Sequence, residues 1–329
     1  MSEEIDLRSP GYMKRHEFLP NTPFIKLLTK GVASVLKTSA FHLGEVRKMR
    51  VRPPEQERYQ RPQRPYDIPE YQEGMRCGAR DEKYLSATLY CDPCDPRIMA
   101  MAHKLGAFQV SDLEFAKRAH DLAKNQMIVE YVPFDTAGDT LERGTGTCFH
   151  LANTMVALCR AAGIKARYKV FAMNMIAVWY DKMLGADSFM QKWYDSLGYF
   201  LIEAEVQVFV DGKWMDAVVG PDDGWQATMG DSLSKLGETS LEDWFEAIPG
   251  TVMLRESIPY GLPILGKLMI ALAPGSVERV SCNVKRMSQG GYRMMEVMGG
   301  REAYDIMTHT KRVKRPMVNL ENRSQIVFD

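Results

Sequence analysis

The sequence predicts an α+β fold, with helices packed on an antiparallel sheet, an N-terminal extension and a helical C-terminal region. Three observations carry this reading. Residues 144–167 run from a glycine-bearing turn through an amphipathic helix to a stop at Gly163, and then into a strand. Residues 200–219 form two strand-like runs joined by Asp211-Gly212, a pair suited to a two-residue hairpin turn. Helical periodicity recurs near both ends of the chain. With 45% hydrophobic and 26% charged residues the composition is that of a globular protein, and 329 residues allow one large domain or two. Lys+Arg and Asp+Glu both number 42, so no global field recruits nucleic acid or an acidic membrane.

Taken in order, residues 1–22 read as an irregular arm. From Phe24 to Leu36 apolar or small residues recur at Leu27, Leu28, Gly31, Val32 and Val35, which gives a helix with one apolar face. Docking onto the core is the expectation, and peripheral membrane contact the less favoured alternative. Arg47 to Pro69 alternates arginine and proline and reads as an extended strap that meets acidic surface or water; nucleic acid is not expected. Tyr84 to Tyr90 reads as a short strand leading to Cys91-Asp-Pro-Cys94. That pair, even with Cys77 and His103 nearby, lacks a matching second pair for zinc, so a turn with two incidental thiols is expected, and neither metal nor cofactor.

Asp95 caps a helix carrying Pro96 in its first turn, and Ser111-Asp-Leu-Glu114 is a capping box. Cys148 opens the central helix, where unpaired N–H groups are expected to lower its thiol pKa. His150 lies about 200° further round that helix and is expected to be structural, while His103, His120 and His309 are too distant in sequence to place. A strand follows from Lys165 to Ala172. Residues 173–199 are rich in aromatics, including Trp179 and Trp193, and suggest a pocket wall or burial against the core. Strands from Phe200 to Val210 and Lys213 to Val219 come next. Ser240 to Asp243 is expected to start a short helix, Gly261 to Ala273 a strongly apolar one, and Met294 to Met307 another, before a basic tail.

The central stretch, Gly144-Thr-Gly-Thr-Cys148 through Arg160-Ala-Ala-Gly163-Ile to Ala166-Arg167, resembles the cysteine segment of transglutaminase-like (papain-like) domains. The hairpin Glu203-Ala-Glu205-Val-Gln207 to Gly212-Lys213-Trp214 resembles the family's second landmark, without its histidine. The resemblance spans roughly residues 85–220. It implies an acyl-transfer site in which a Cys nucleophile, a His base and an orienting Asp act on an amide, thioester or ester carbonyl. Cys148 stands at the nucleophile position, but Glu203 replaces the histidine and Val218 the aspartate.

A two-residue turn pairs Val210 with Lys213, Phe209 with Trp214 and Gln207 with Asp216, so Glu203, Glu205, Gln207 and Asp216 share one face. In the family fold that face looks at the cysteine. A carboxylate can serve as general base once burial or a neighbouring carboxylate raises its pKa. The expected site is therefore Cys148 as nucleophile, Glu203 as substitute base, Asp216 or Glu205 as modulator, and Trp179, Trp193 and Trp214 against a small-molecule or peptide substrate. The alternative is a non-catalytic binding module for a peptide or apolar ligand. A metal on Glu203, Glu205 and Asp216 is the weaker third reading.

The organisation expected is an extension over residues 1–75, a core over 76–220 and a mostly helical region over 221–329. Six widely spaced cysteines and a polar N-terminus without a secretion signal point to reduced thiols in the cytoplasm. The apolar run from Ile258 to Pro274, broken by Pro263 and Lys267, is too short to cross a membrane.

Overall fold

The computed structural model describes residues 22–309, apart from 242, 259 and 260. The N-terminal arm and the basic tail read from the sequence lie outside the described residues. Two helices come first, α1 (Thr22–Phe41) and α2 (Leu43–Arg50), the second at the start of the stretch expected to be extended. Helix α1 docks, with Val35 packed on the core beside small residues. Gly31, Ser34 and Thr38 are buried, Ser34 is hydrogen-bonded to Ser196 (3.0 Å), and Val32 and Leu36 stay exposed.

The proline-rich strap then crosses the surface as predicted. Arg61 grips the buried Glu130 with two hydrogen bonds of 2.8 and 2.9 Å, and Tyr66 donates to the Leu141 carbonyl at 2.8 Å. Tyr84 to Tyr90 is not a strand: Tyr84 has φ 70°, incompatible with an extended run, and the segment is a series of turns. The strap also carries Cys77 to within 5.9 Å (Cα–Cα) of Cys94, and the two are disulfide-bonded. This overturns the expectation of six reduced thiols and of an incidental Cys94. Cys91 is free and buried.

Helices α3 (Pro96–Lys104) and α4 (Asp112–Asp121) start at the predicted caps, with Asp95 accepting from Arg97 N and Ser111 from Glu114 N. A parallel pair, β1 (Ile128–Val129) with β2 (Thr145–Gly146), brackets α5 (Ala137–Arg143). Gly144, at φ 77°, ends α5 in the left-handed region that glycine tolerates. The central helix α6 (Cys148–Ala161) is buried along nearly its whole length.

The main sheet comprises β3 (Ala166–Met175), β4 (Phe200–Val210), β5 (Lys213–Ala217), β6 (Phe245–Ala247) and β7 (Met253–Arg255), in the order β5-β4-β3-β6 with β7 also on β3. All its pairings are antiparallel. The hairpin register is the predicted one, and both turn residues have positive φ (Asp211 51°, Gly212 76°), as a primed turn requires. One sheet face, bearing Tyr168, Val170, Ala204 and Val206, packs on α6, and Tyr168 Oη donates to Asn153 Oδ1 at 2.6 Å.

Between β3 and β4 the aromatic segment forms α7 (Ser188–Leu197), and after β5 comes α8 (Asp223–Met229). Ser240 starts no helix. The chain turns back so that Trp244 N bonds Ser240 O (3.3 Å), and Ser240 instead serves Glu205. Three C-terminal helices follow: α9 (Gly261–Leu272), α10 (Pro274–Val297) and α11 (Arg301–His309). Met49 and Tyr66 from the extension, and Val280, Val284 and Met287 from α10, belong to the same hydrophobic core as α6 and the sheet. No described helix is long and apolar enough to cross a membrane.

Candidate active site

The first turn of α6 fixes the thiol. Thr147 is the N-cap, and the His150 ring closes the turn. Its Nδ1 accepts from Thr147 N (3.0 Å) beside Thr147 Oγ1 (2.8 Å), which leaves Nε2 to donate to the Pro133 carbonyl (3.2 Å). Both ring nitrogens are thereby occupied. Burial holds the His150 pKa down at about 4, so the ring stays neutral at physiological pH. The other described histidines seen as candidates are committed elsewhere: His103 to Arg76 O, His120 to Val218 O at 2.7 Å, and His309 to Asp305 and Glu238.

The partner that does reach Cys148 is Glu203. Register puts Glu203, Glu205 and Gln207 on one face of β4, opposite Phe171, Lys169 and Arg167. A register shift between Phe171 and Met173 adds one residue on the β4 side next to Glu203. Consecutive residues Ile202 and Glu203 consequently both line the same cavity, the re-aiming that a bulge produces. The Cys148 thiol lies beside the Glu203 carboxyl, whose Oε1 is buried without a hydrogen-bond partner among the described residues.

This environment reverses the expected thiol shift. Burial, then the adjacent Glu203 carboxylate, push the Cys148 thiol well above its usual range, outweighing the N–H groups of Ala204 and Phe149 that favour the thiolate. Burial also raises Glu203, to about 8, with the neighbouring Glu205 adding to it and the Cys148 hydrogen bond opposing it. Near neutrality the pair is a thiol and a protonated carboxyl. Tyr131, absent from the sequence-derived site, lies close to both. Its phenol is pushed well above the usual tyrosine range by burial and then by Cys148 and Glu203, so it stays a neutral donor.

The remaining expected residues divide. Trp179 and Trp193 line the cavity; Trp214 does not, and packs instead between Tyr84, Phe209 and the Arg167 guanidinium, 3.8 Å from its ring centre. Glu205 and Asp216 also stay out of the cavity wall. Both bond to Lys169 Nζ (2.9 and 3.1 Å), Glu205 is held further by Thr239 and Ser240, and Asp216 by Gln207. Glu205 thus acts on Glu203 only through its charge, and Asp216 does not reach the thiol. Among the described residues no group of three or more His, Cys, Asp or Glu is placed to hold a metal ion, because Lys169 occupies the space between the two carboxylates.

The cavity measures about 230 Å³. Its walls come from β1 and the segment after it, the start of α6, the aromatic segment with α7, and α8, and it is covered by α9 and the start of α10. Gly220 and Pro221, after the hairpin, pass the cysteine so closely that a Cβ on Gly220 would lie 3.7 Å from Cys148 Cα. Neither Tyr131 nor this Gly-Pro turn carries a motif that marks it in the sequence.

Residues 100–227 match the family model of the transglutaminase-like superfamily. A solved structure of a candidate cysteine protease from Cytophaga hutchinsonii is similar over 41% of this chain and 40% of that one, at 20% identity and a TM-score of 0.30. The similarity therefore spans less than half of that protein. No curated protein matches the chain. The matched span begins within α3, contains Cys148, β3, β4 and β5, and ends within α8: residues 100–227 are a transglutaminase-like superfamily domain.

Proposed function

We propose that this protein is a cysteine-dependent enzyme that hydrolyses or transfers an acyl group from an amide, thioester or ester. One observation carries the reading: Cys148 and Glu203 meet in the wall of one apolar cavity, where burial raises the carboxyl to about 8 and makes it a base of useful strength. Ionised Glu203 takes the thiol proton as sulfur bonds to the carbonyl carbon. The protonated carboxyl returns it to the leaving group, and water or an amine, deprotonated by Glu203 in turn, cleaves the thioester. Tyr131 stands near enough to donate to the developing oxyanion.

The test is acylation by p-nitrophenyl acetate, followed by intact-protein mass spectrometry. We expect one acetyl group on Cys148, none in Cys148→Ser, and a rate that rises with pH to half its maximum near pH 8, where Glu203 loses its proton. Glu203→Gln is expected to lower the rate about 10²- to 10⁴-fold. An unchanged rate in Glu203→Gln, or acetylation spread over Cys159 and Cys282, would refute it. The elevated thiol pKa favours a second reading, a binding module in which Cys148 is only a wall residue. On that reading the parent is not acylated at any pH.

A further inference from the structure

We infer that the cavity receives a linear, uncharged alkyl chain of about eight carbons, so that the acyl group presented to Cys148 is a medium-length aliphatic one. The chemical end of this inference rests on the acyl-transfer reading; the chain itself rests on the cavity. Its walls carry no Lys, Arg or Asp, and its ionisable groups gather at one end, where Cys148, Glu203 and Tyr131 meet. His150 also borders it, but its ring is consumed by the helix cap.

Two polar wall atoms, Glu203 Oε1 and Trp225 Nε1, are without a protein partner, an acceptor and a donor suited to the carbonyl end of a ligand. The rest, apart from Thr147 and Ser276, is methionine, aliphatic and aromatic surface, including Met173, Met183, Met190 and Met269. Thioether side chains adapt to a chain whose conformation varies. An apolar cavity of about 150 Å³ takes a six-carbon ring, so in proportion 230 Å³ takes roughly eight to nine carbons.

Helix α9 supplies the cover and explains an odd feature of the sequence, a helix apolar on both faces with Lys267 as its one charge. Leu262, Gly266, Met269 and Ile270 face the cavity, while Ile264 and Leu268 are 58% and 52% exposed on the outside. A Cβ built on Gly266 meets nothing within 4 Å, so a side chain there has room to grow into the space that the alkyl chain takes.

The experiment measures binding and acylation separately. Binding uses unbranched primary amides from acetamide to dodecanamide, titrated into the full-length Cys148→Ser protein. Affinity is expected to rise about three- to fourfold per methylene, the transfer of one CH₂ out of water, and to level off near eight carbons. Gly266→Leu is expected to bring the plateau down by about four carbons. A chain-independent affinity in the parent series overturns the inference, whether or not Gly266→Leu folds.

Acylation uses p-nitrophenyl esters of the same lengths. Chain-dependent binding without any thioester on Cys148 keeps the alkyl site and removes the acyl-transfer reading; thioester formation at equal rates from acetate and octanoate does the reverse. Presenting the octanoyl ester in phosphatidylcholine vesicles against free solution separates a bilayer source, to which the outer face of α9 would dock, from a soluble one.

Discussion

Replacing Glu203 by glutamine should make the protein more stable and less active at once. The carboxyl titrates near 8 in the folded chain against an ordinary value of 4.5. Below pH 4.5 it is protonated in both folded and unfolded chains and costs nothing. From there to pH 8 the unfolded chain gives up the proton and the folded chain keeps it. Stability present below 4.5 is therefore lost at about 1.4 kcal/mol per pH unit, and the loss levels off above 8. Over about 3.5 units this amounts to roughly 5 kcal/mol, a large part of the 5–15 kcal/mol typical of a domain. Glutamine has the shape of the protonated acid and nothing to ionise.

Urea denaturation of parent and Glu203→Gln at intervals from pH 4.5 to 9 gives the quantity directly, because contributions from all other groups cancel in the difference. We expect the variants to coincide near pH 4.5, with Glu203→Gln ahead by several kcal/mol at pH 8. The same variant should form its Cys148 thiolate more readily above pH 8, having lost the opposing carboxylate, so iodoacetamide labels it faster while ester turnover falls. A stability difference that does not change with pH would refute the argument, since it would place Glu203 in water.

Three further outcomes follow from groups outside the cavity. Burial holds His120 at about 4 against 6.5, so the stability it supports above pH 6.5 is lost as the pH falls to 4; His120→Gln should remove about 3 kcal/mol of that acid slope in urea titrations at pH 4 and 7. Arg160 is fully buried and donates to the carbonyls of Ser86, Ala166 and Glu256 at 2.7–3.2 Å, and Arg160→Met leaves all three unmet, costing about 3 kcal/mol or more by chemical denaturation. A Cβ on Gly291 would fall 1.7 Å from Gly224 O where α10 crosses α8, so Gly291→Ala should lower stability by about 3 kcal/mol and the melting temperature by several degrees.

What the sequence discloses here is what local chemistry dictates. The Asp211-Gly212 turn and period-two alternation fix the β4–β5 register, and with it the common face of Glu203, Glu205, Gln207 and Asp216. Caps at Asp95 and Ser111, the turn at Gly144 and the stop at Gly163 are equally local. The departures all depend on chain far away. Cys148 reads as an activated thiol until α9, more than a hundred residues later, closes an apolar cavity over it. Ser240 has a capping-box sequence, but the buried Glu205 carboxylate takes its N–H and hydroxyl. Cys77 and Cys94, seventeen residues apart, meet only because the chain between them doubles back. Trp214 carries a family landmark and stacks with Arg167 rather than facing a substrate.

The cluster behind Glu203 has a consequence for how the proposed site can change. Lys169 neutralises one of the two negative charges it touches, Glu205 and Asp216, and Glu205 is the neighbour that Glu203 feels. The basicity of Glu203, raised first by burial, is thus trimmed from a residue outside the cavity wall. Substitution at Lys169 retunes the working pH with the cavity's shape untouched, so acidity and substrate fit can drift independently, each under its own selection.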